Sequence, residues 1–347
     1  MKKIVRLGCI GCGGFAGTHL AQLEMVKNAK VVAIADINPD HLKEKSEEFG
    51  IADTYLDYHD LLAREDIDAV VLPIPDQIHC QVTVDALRAG KHVLCEKPMA
   101  LDLAECKEMV RVAQETGKQL MVGQIGRYSP AFAKADQLIK DGVLGKVYFI
   151  ESEYAHDYSG IGGAGGWRVT PEREPIIGGG CHAVDLIRMF MDESPKEVFA
   201  YANNVALVGW PIHDCTIAIM KFPSGAVGKV MTSTGCKRKY TMRTVVQGTK
   251  GTIIVDDSLP YISLFEDHFS ENPEFSKLAQ RVVEMRIPVG VNTHNFAAEA
   301  QEFCDALLAG TPVRCNGIEG ASTVSVCTAI VESFKTGEKV TVDYDFS

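Results

Sequence analysis

Residues 4–36 constrain the fold more tightly than any other stretch of this chain. Residues 4–10 form a short, mostly apolar run, the pattern of a strand buried on both faces of a parallel sheet. Gly11-Cys12-Gly13-Gly14-Phe15-Ala16-Gly17 follows at once, then residues 18–27 with helical spacing, then a second apolar run at 31–35 closed by Asp36. Strand, glycine turn, helix, strand and acid, with the acid about twenty residues past the turn, is the order that a dinucleotide-binding βαβ unit requires. Gly11 permits the tight turn, Gly13 lets the backbone approach a pyrophosphate, and Ala16 with Gly17 keeps the helix close to the sheet. The helix N-terminus then offers free N–H groups and its positive dipole end to the phosphates. Gly11, Gly13, Gly14, Phe15, Ala16 and Asp36 are therefore the expected cofactor contacts.

The alternation continues. Asn38-Pro39-Asp40 has the N-cap and first-turn proline of a helix that Gly50 ends, and shorter helical spacing covers 57–64. Apolar runs at 69–74, 92–95 and 119–122 alternate with helical stretches at 78–89 and from Asp102 to Glu115. Parallel neighbours need crossovers, so these residues predict a doubly wound sheet. The pattern changes after Gly123. A helix is expected at 130–140, a strand at 147–154, a glycine-rich loop at 159–166 and a helix at 182–191. Strands follow at 198–206, 215–222, 226–234, 241–247, 252–255 and 262–265 without intervening helices, which predicts a largely antiparallel sheet. Helices at 295–308 and 317–335 and an edge strand at 340–344 close the chain. The expected fold is α/β: a Rossmann domain over 1–122, then an α+β domain with a large open sheet over 123–347.

Composition excludes several classes. The 347 residues carry a net charge of −11 with Lys and Arg scattered, which argues against nucleic acid or an anionic membrane as partner. No apolar run approaches the ~20 residues of a spanning helix. Met1-Lys2-Lys3 leads straight into the first strand, leaving no room for a signal peptide, so a cytoplasmic location is expected. The 11 cysteines are odd in number and dispersed, which fits reduced buried thiols. Cys9-x-x-Cys12 has a metal-ligand spacing but straddles a strand end and the phosphate turn, so no metal is expected there.

With these stretches in view, the chain resembles the glucose–fructose oxidoreductase / inositol dehydrogenase / rhizopine-catabolism (Gfo/Idh/MocA) family over nearly its whole length. The resemblance rests on the glycine turn with Ala16 and His19, on Pro75-Asp76-Gln77-Ile78-His79, and above all on Glu96-Lys97-Pro98. Arg127-Tyr128-Ser129-Pro130, Trp167-Arg168 and Gly179-Gly180-Cys181-His182-Ala183-Val184-Asp185 follow in the expected order. It implies a Rossmann domain holding NAD or NADP, a sheet domain often used for oligomerisation, and a sugar, glycoside or polyol substrate.

Asp36 selects NAD, because a carboxylate accepts hydrogen bonds from ribose hydroxyls and repels a 2′-phosphate. Lys97 follows a strand's C-terminal end, where open α/β sheets bind ligands, and can stabilise a developing alkoxide. The resemblance makes His182 the catalytic histidine and Pro98 the second residue of a cis peptide. Pro75, His79, Glu96 and Lys97 are expected along the cofactor wall. Arg127, Tyr154, His156, Trp167, Arg168, Asp185 and His294 are expected substrate contacts, together with Lys97 and His182. His213 and His268 carry no assignment. One position departs from the family pattern: many relatives have an aspartate four residues before the histidine, where this chain has Gly178. Asp185 is one candidate to replace it; otherwise His182 works without such a partner. The leading function is an NAD-dependent sugar or polyol dehydrogenase. The alternatives are a redox-neutral enzyme that cleaves glycosides or epimerises, and a non-catalytic NAD-binding regulator. Residues 215–222 are apolar at nearly every position, more than one covered face needs, which predicts a homo-oligomer through the C-terminal sheet, a dimer, tetramer or higher.

Overall fold

The computed structural model of the protein describes residues 4–161, 166–267 and 282–346. His268 and half of the predicted glycine loop, 162–165, lie outside the described residues. The chain divides into two compact units, one of Met1–Ile125, Asn295–Ser325 and Tyr344–Ser347, the other of Gly126–His294 and Val326–Asp343.

In chain order the first stretch comprises β1 (Val5–Ile10), α1 (Ala16–Leu23), β2 (Ala29–Ala35), α2 (Pro39–Phe49), β3 (Thr54–Tyr55) and α3 (Tyr58–Leu62). It continues with β4 (Ala69–Leu72), α4 (His79–Arg88), β5 (His92–Glu96), α5 (Leu103–Thr116) and β6 (Leu120–Gly123). These strands form one six-stranded sheet in the order β3-β2-β1-β4-β5-β6, and every recorded pair is parallel. Residues Ala69–Leu72 are buried without exception, as a strand covered on both faces must be. The caps follow the sequence: Asn38 accepts from the Asp40 amide, Asp102 from the Glu105 amide, and Gly50 and Gly117 end their helices in left-handed conformations. The strand order reverses between β1 and β4, so their C-terminal ends flank the switch point where such sheets bind ligands. Gly11 sits there with φ +103°, and a Cβ would lie 2.9 Å from the Pro73 carbonyl oxygen, so both conformation and space require glycine.

The second stretch comprises α6 (Pro130–Lys140), β7 (Val147–Ala155), α7 (Pro175–Gly178), α8 (Cys181–Met191), β8 (Glu197–Asn203), β9 (Cys215–Lys221) and β10 (Val227–Ser233). Next come β11 (Thr241–Gly248), β12 (Gly251–Asp256), β13 (Tyr261–Asp267), β14 (Val282–Pro288), α9 (Phe296–Ala309), α10 (Gly317–Thr336) and β15 (Val340–Thr341). The nine-stranded sheet runs β14-β13-β12-β11-β7-β10-β9-β8-β15. Its β7/β10 pair is parallel and the other recorded pairs are antiparallel, so the sheet is mixed and mostly antiparallel, as expected. Helix α8 packs on β7, β10 and β11, covering one face. On β8 and β9 the exposed residues include Tyr201 at 73%, Ile217 at 44% and Ile219 at 54%.

Three elements lie beyond the sequence reading. Strand β3 is two residues long, α7 is a single turn in a glycine-rich stretch, and β14 carries alternate Glu284 and Arg286 that dilute its apolar signal. The predicted strand at 198–206 stops at Asn203. The Asn204 amide donates to the Trp210 and Ile212 carbonyls, and Asp214 accepts from the amides of Ala206 and Leu207, which closes a loop instead. Among the described residues no helix is long and apolar enough to cross a membrane.

Residues 295–325 pack with the Rossmann unit, whereas the sequence reading grouped them with the second domain. Cys315, Ala321 and Val324 join the core cluster that includes Met99, Val110, Leu120 and Val122. Gly320 brings α10 close to that sheet, since a Cβ there would stand 2.9 Å from the Val122 Cβ and 3.2 Å from the Met99 sulfur. In an open helix Gly→Ala gains about 1 kcal/mol of propensity. Here overpacking, at ~1–3 kcal/mol, opposes it. We expect Gly320→Ala to lower the thermal unfolding midpoint of the Rossmann unit, measured by calorimetry; a raised midpoint would show that α10 stands free.

Candidate active-site residues in the two units

In the Rossmann unit the glycine turn is held from beneath. The Gly11 amide donates to the Ala35 carbonyl at 2.7 Å, and the Ala16 amide to the Gly13 carbonyl at 2.9 Å. Asp36 Oδ2 accepts from the Cys12 amide at 2.6 Å and Oδ1 from the Asn38 amide at 2.8 Å. Each carboxylate oxygen offers two acceptor positions, so Asp36 retains capacity for ribose hydroxyls while its charge opposes a 2′-phosphate. A Cβ added at Gly13 or Gly14 would meet nothing within 4 Å, which leaves bare backbone on the ligand side of the turn. This open cradle at a helix N-terminus fits a dinucleotide diphosphate. The thiol of Cys12 lies 3.8 Å from the Ala35 carbonyl, and burial pushes its pKa up to about 12, so it stays protonated.

Lys97 and Pro98 are joined by a cis peptide, as the resemblance implied. Glu96 accepts from the Lys97 amide through Oε2 at 3.1 Å and bonds His19 Nε2 through Oε1 at 2.7 Å. Burial pushes the Glu96 pKa up, but His19 and then Lys97 more than offset it and hold the carboxyl down at about 2. His79 is wholly buried, its Nδ1 2.8 Å from the Pro98 carbonyl and its Nε2 3.1 Å from the Ile74 carbonyl. Both partners are acceptors, so both ring nitrogens carry protons. Burial pulls its pKa down, yet Cys95, Asp76 and the Pro98 carbonyl lift it to about 9. His79 therefore ties the loop after β4, which contains Pro75, to the Lys97-Pro98 turn.

In the second unit His182 occupies the first turn of α8, buried, with its ring stacked 6.2 Å from that of Tyr154. The Tyr154 hydroxyl is 3.0 Å from His156 Nδ1. Tyr240 meets Tyr154, His156 and His294 at centroid distances of 5.6, 5.1 and 5.3 Å, and Tyr158 meets His156 at 5.3 Å. The structure thus gathers Tyr154, His156, His182 and His294, all expected from sequence, and adds Tyr158 and Tyr240. Tyr240 follows the basic run Lys237-Arg238-Lys239, which conceals it. Only the β7/β11 register, with Met242 opposite Tyr154, brings it to the cluster. Its hydroxyl is buried without a hydrogen-bond partner among the described residues. Burial pushes both the Tyr154 and the Tyr240 phenol up, so each remains a donor at neutral pH.

Gly178 stands where the resemblance implies an aspartate, and the space beside it is taken by the movable end of Arg173. A Cβ there would fall on the guanidinium of Arg173, which donates to the Gly178 and Arg168 carbonyls at 3.3 Å each. Trp167 lies under the guanidinium groups of Arg168 and Arg173 at 4.5 and 5.2 Å. Asp185, the candidate replacement for the acid, is paired with Arg127: its oxygens accept from Arg127 Nε and Nη2 at 2.7 Å each, and both side chains are buried. These two expected substrate contacts thus bond each other and brace α8 against the turn before α6. Asp185→Ala would remove one partner of a buried ion pair, which costs ~3–5 kcal/mol. We expect that loss in chemical denaturation; a change under 1 kcal/mol would show that the brace is dispensable.

Comparison with known proteins agrees with this architecture. Residues 5–124 match the oxidoreductase family model with NAD-binding Rossmann fold, and residues 132–254 match the GFO/IDH/MocA C-terminal domain. The myo-inositol 2-dehydrogenase of Thermotoga maritima is 29% identical over 271 residues, 73% of this chain and 75% of that one. The inositol 2-dehydrogenase of Salmonella typhimurium is 25% identical over 358 residues, 98% and 97% of the two chains. A levoglucosan dehydrogenase in complex with NADH superposes with a TM-score of 0.88 at 22% identity, covering 98% of this chain and 100% of that one. The chain belongs to the GFO/IDH/MocA oxidoreductase family, and its Rossmann unit is an NAD-binding domain.

Proposed function

We propose that the protein is an NAD-dependent dehydrogenase acting on a secondary hydroxyl of a sugar, glycoside or cyclitol. The observation that carries this reading is the cluster of phenols and imidazoles around His182, in which the buried Tyr240 hydroxyl has no partner among the described residues. Such a lining suits a ligand rich in hydroxyl groups, which can both donate and accept. The inositol dehydrogenases among the relatives support the same class.

NAD, when bound, supplies the hydride acceptor. His182 takes the hydroxyl proton, since an imidazole's unperturbed pKa of about 6.5 lies near working pH. Lys97, in the Rossmann unit, is assigned the role of a cationic donor that offsets growing negative charge on a reacting oxygen. Tyr154 and His156 orient the neighbouring hydroxyls. With Arg173 over Gly178, no carboxylate at that position steadies a protonated His182.

A screen of inositols, sugars and glycosides for NADH formation tests the reading. Net NADH accumulation separates a dehydrogenase from a redox-neutral enzyme, and turnover of any kind separates both from a regulator. His182→Ala is expected to lower kcat by ~10²–10⁴-fold with NAD affinity unchanged. Lys97→Ala is expected to lower kcat as well, with weaker substrate binding. Near-normal kcat in the His182 variant would move the base elsewhere, first to Lys97.

We further propose that the uncovered face of the nine-stranded sheet joins copies of the chain. Tyr201, Ile217, Ile219 and Val227 stand exposed on β8, β9 and β10, a patch that water disfavours. Wild-type protein is expected to sediment as a dimer or larger at micromolar concentration. The double variant Ile217→Lys, Ile219→Glu is expected to sediment as a monomer, and an unchanged assembly would place the interface elsewhere.

A further inference from the structure

His19 lies in the first turn of α1, only 6% exposed, and is not used in the proposed chemistry. Its Nδ1 is 2.9 Å from the Phe15 carbonyl oxygen and its Nε2 is 2.7 Å from Glu96 Oε1. The ring of Phe296 meets it edge-on at 4.2 Å and fixes its plane. A carbonyl and a carboxylate oxygen are both acceptors, so holding both contacts requires a proton on each ring nitrogen. The geometry is that of an imidazolium. The other Glu96 oxygen accepts from the Lys97 amide at 3.1 Å. One continuous set of bonds therefore links the end of the glycine turn, through His19 and Glu96, to the backbone of Lys97.

We propose that His19 is a positioning residue, a cationic strut between the glycine turn and the Glu96-Lys97 turn, whose protonation sets the affinity for NAD. This rests on the NAD-binding assignment and not on the substrate class. The charge sits in the first turn of the phosphate-facing helix, where it adds to the positive dipole end and favours a diphosphate. Loss of one proton breaks one of the two bonds. The carboxylate is the stronger acceptor, so Nε2–H is retained and the lone pair of Nδ1 then faces the Phe15 carbonyl. The glycine turn is released first.

Burial pulls the His19 pKa down, but the hydrogen bond to Glu96, its charge and the Phe15 carbonyl together raise it above the ordinary value. The contribution is accordingly present at neutral pH and fades as pH rises through the raised pKa. The charged groups on elements packed against α1 include Glu96 and Lys97 at the end of β5, Lys45 of α2, which lies against Gly17 between Glu44 and Glu48, and Glu299, Glu302 and Asp305 of α9. His79 loses its proton at about 9 and is a second titrating group in this unit, so the test must isolate His19.

NADH fluorescence titrations from pH 6 to pH 10, with no substrate present, read the effect directly. Wild-type affinity is expected to fall roughly tenfold across the ionisation, the upper scale of a charge acting at a helix terminus. His19→Gln is expected to bind more weakly at pH 6 and to lose that pH dependence. Glu96→Gln is expected to move the midpoint to lower pH, which a merely structural histidine would not do. Nitrogen-15 spectra of the imidazole in cofactor-free protein at pH 7 should show both His19 nitrogens protonated. A neutral tautomer there, a wild-type pH dependence retained in His19→Gln, or an unmoved midpoint in Glu96→Gln overturns the proposal. Should His19→Gln fail to fold, the spectra and the Glu96→Gln midpoint decide. Absence of NADH binding by wild type even at pH 6 would instead strike at the cofactor assignment.

Discussion

The carboxylate of Asp36 holds the first unit's cofactor face together. By accepting from the amides of Cys12 and Asn38 it joins the turn after β1 to the turn after β2. Two buried strands fix where those turns begin, and one acid fixes how they face. A hydrogen bond to an ionised acceptor is stronger than a neutral one, so the loop geometry depends more on this residue than on any single apolar contact nearby. The same carboxylate that builds the turn ends the loop after β2, where an acid can accept from ribose hydroxyls and opposes a 2′-phosphate.

The second unit solves a different problem. A parallel β7/β10 pair cannot be joined by a hairpin, so the intervening chain leaves the sheet and returns. Helices α7 and α8 lie in that excursion, and α8 packs against β7. His182 is thereby set against Tyr154, while the antiparallel β11 delivers Tyr240 from the other side. Residues far apart in the chain meet because strand pairing, not local spacing, defines the neighbourhood.

Arginine 173 shows how a missing side chain is accommodated. Gly178 leaves a space beside α7, and a guanidinium fills it, bonded to backbone carbonyls and stacked near Trp167. Asp185, one turn beyond His182, accepts two hydrogen bonds from Arg127.

Much was legible in the residues alone. The glycine turn, Asp36, the caps at Asn38 and Asp102, and the alternation of strands and helices depend on local conformation and periodicity, which a sequence carries directly. The mixed sheet was legible as mostly antiparallel because its strands follow one another without helices. Tertiary structure alone decided the rest. That residues 295–325 pack with the Rossmann unit depends on the shape of Gly320 against Val122, and no change in composition marks it. That Arg127 and Asp185, both expected as polar site residues, are buried and bonded to each other was settled by packing. The strut through His19 and the arrival of Tyr240 beside Tyr154 follow from contacts between distant residues. Sequence specifies which groups exist and their local backbone habits; which acceptor or ring each group meets is set by long-range packing, because hydrogen bonds and ring contacts act only over a few ångströms.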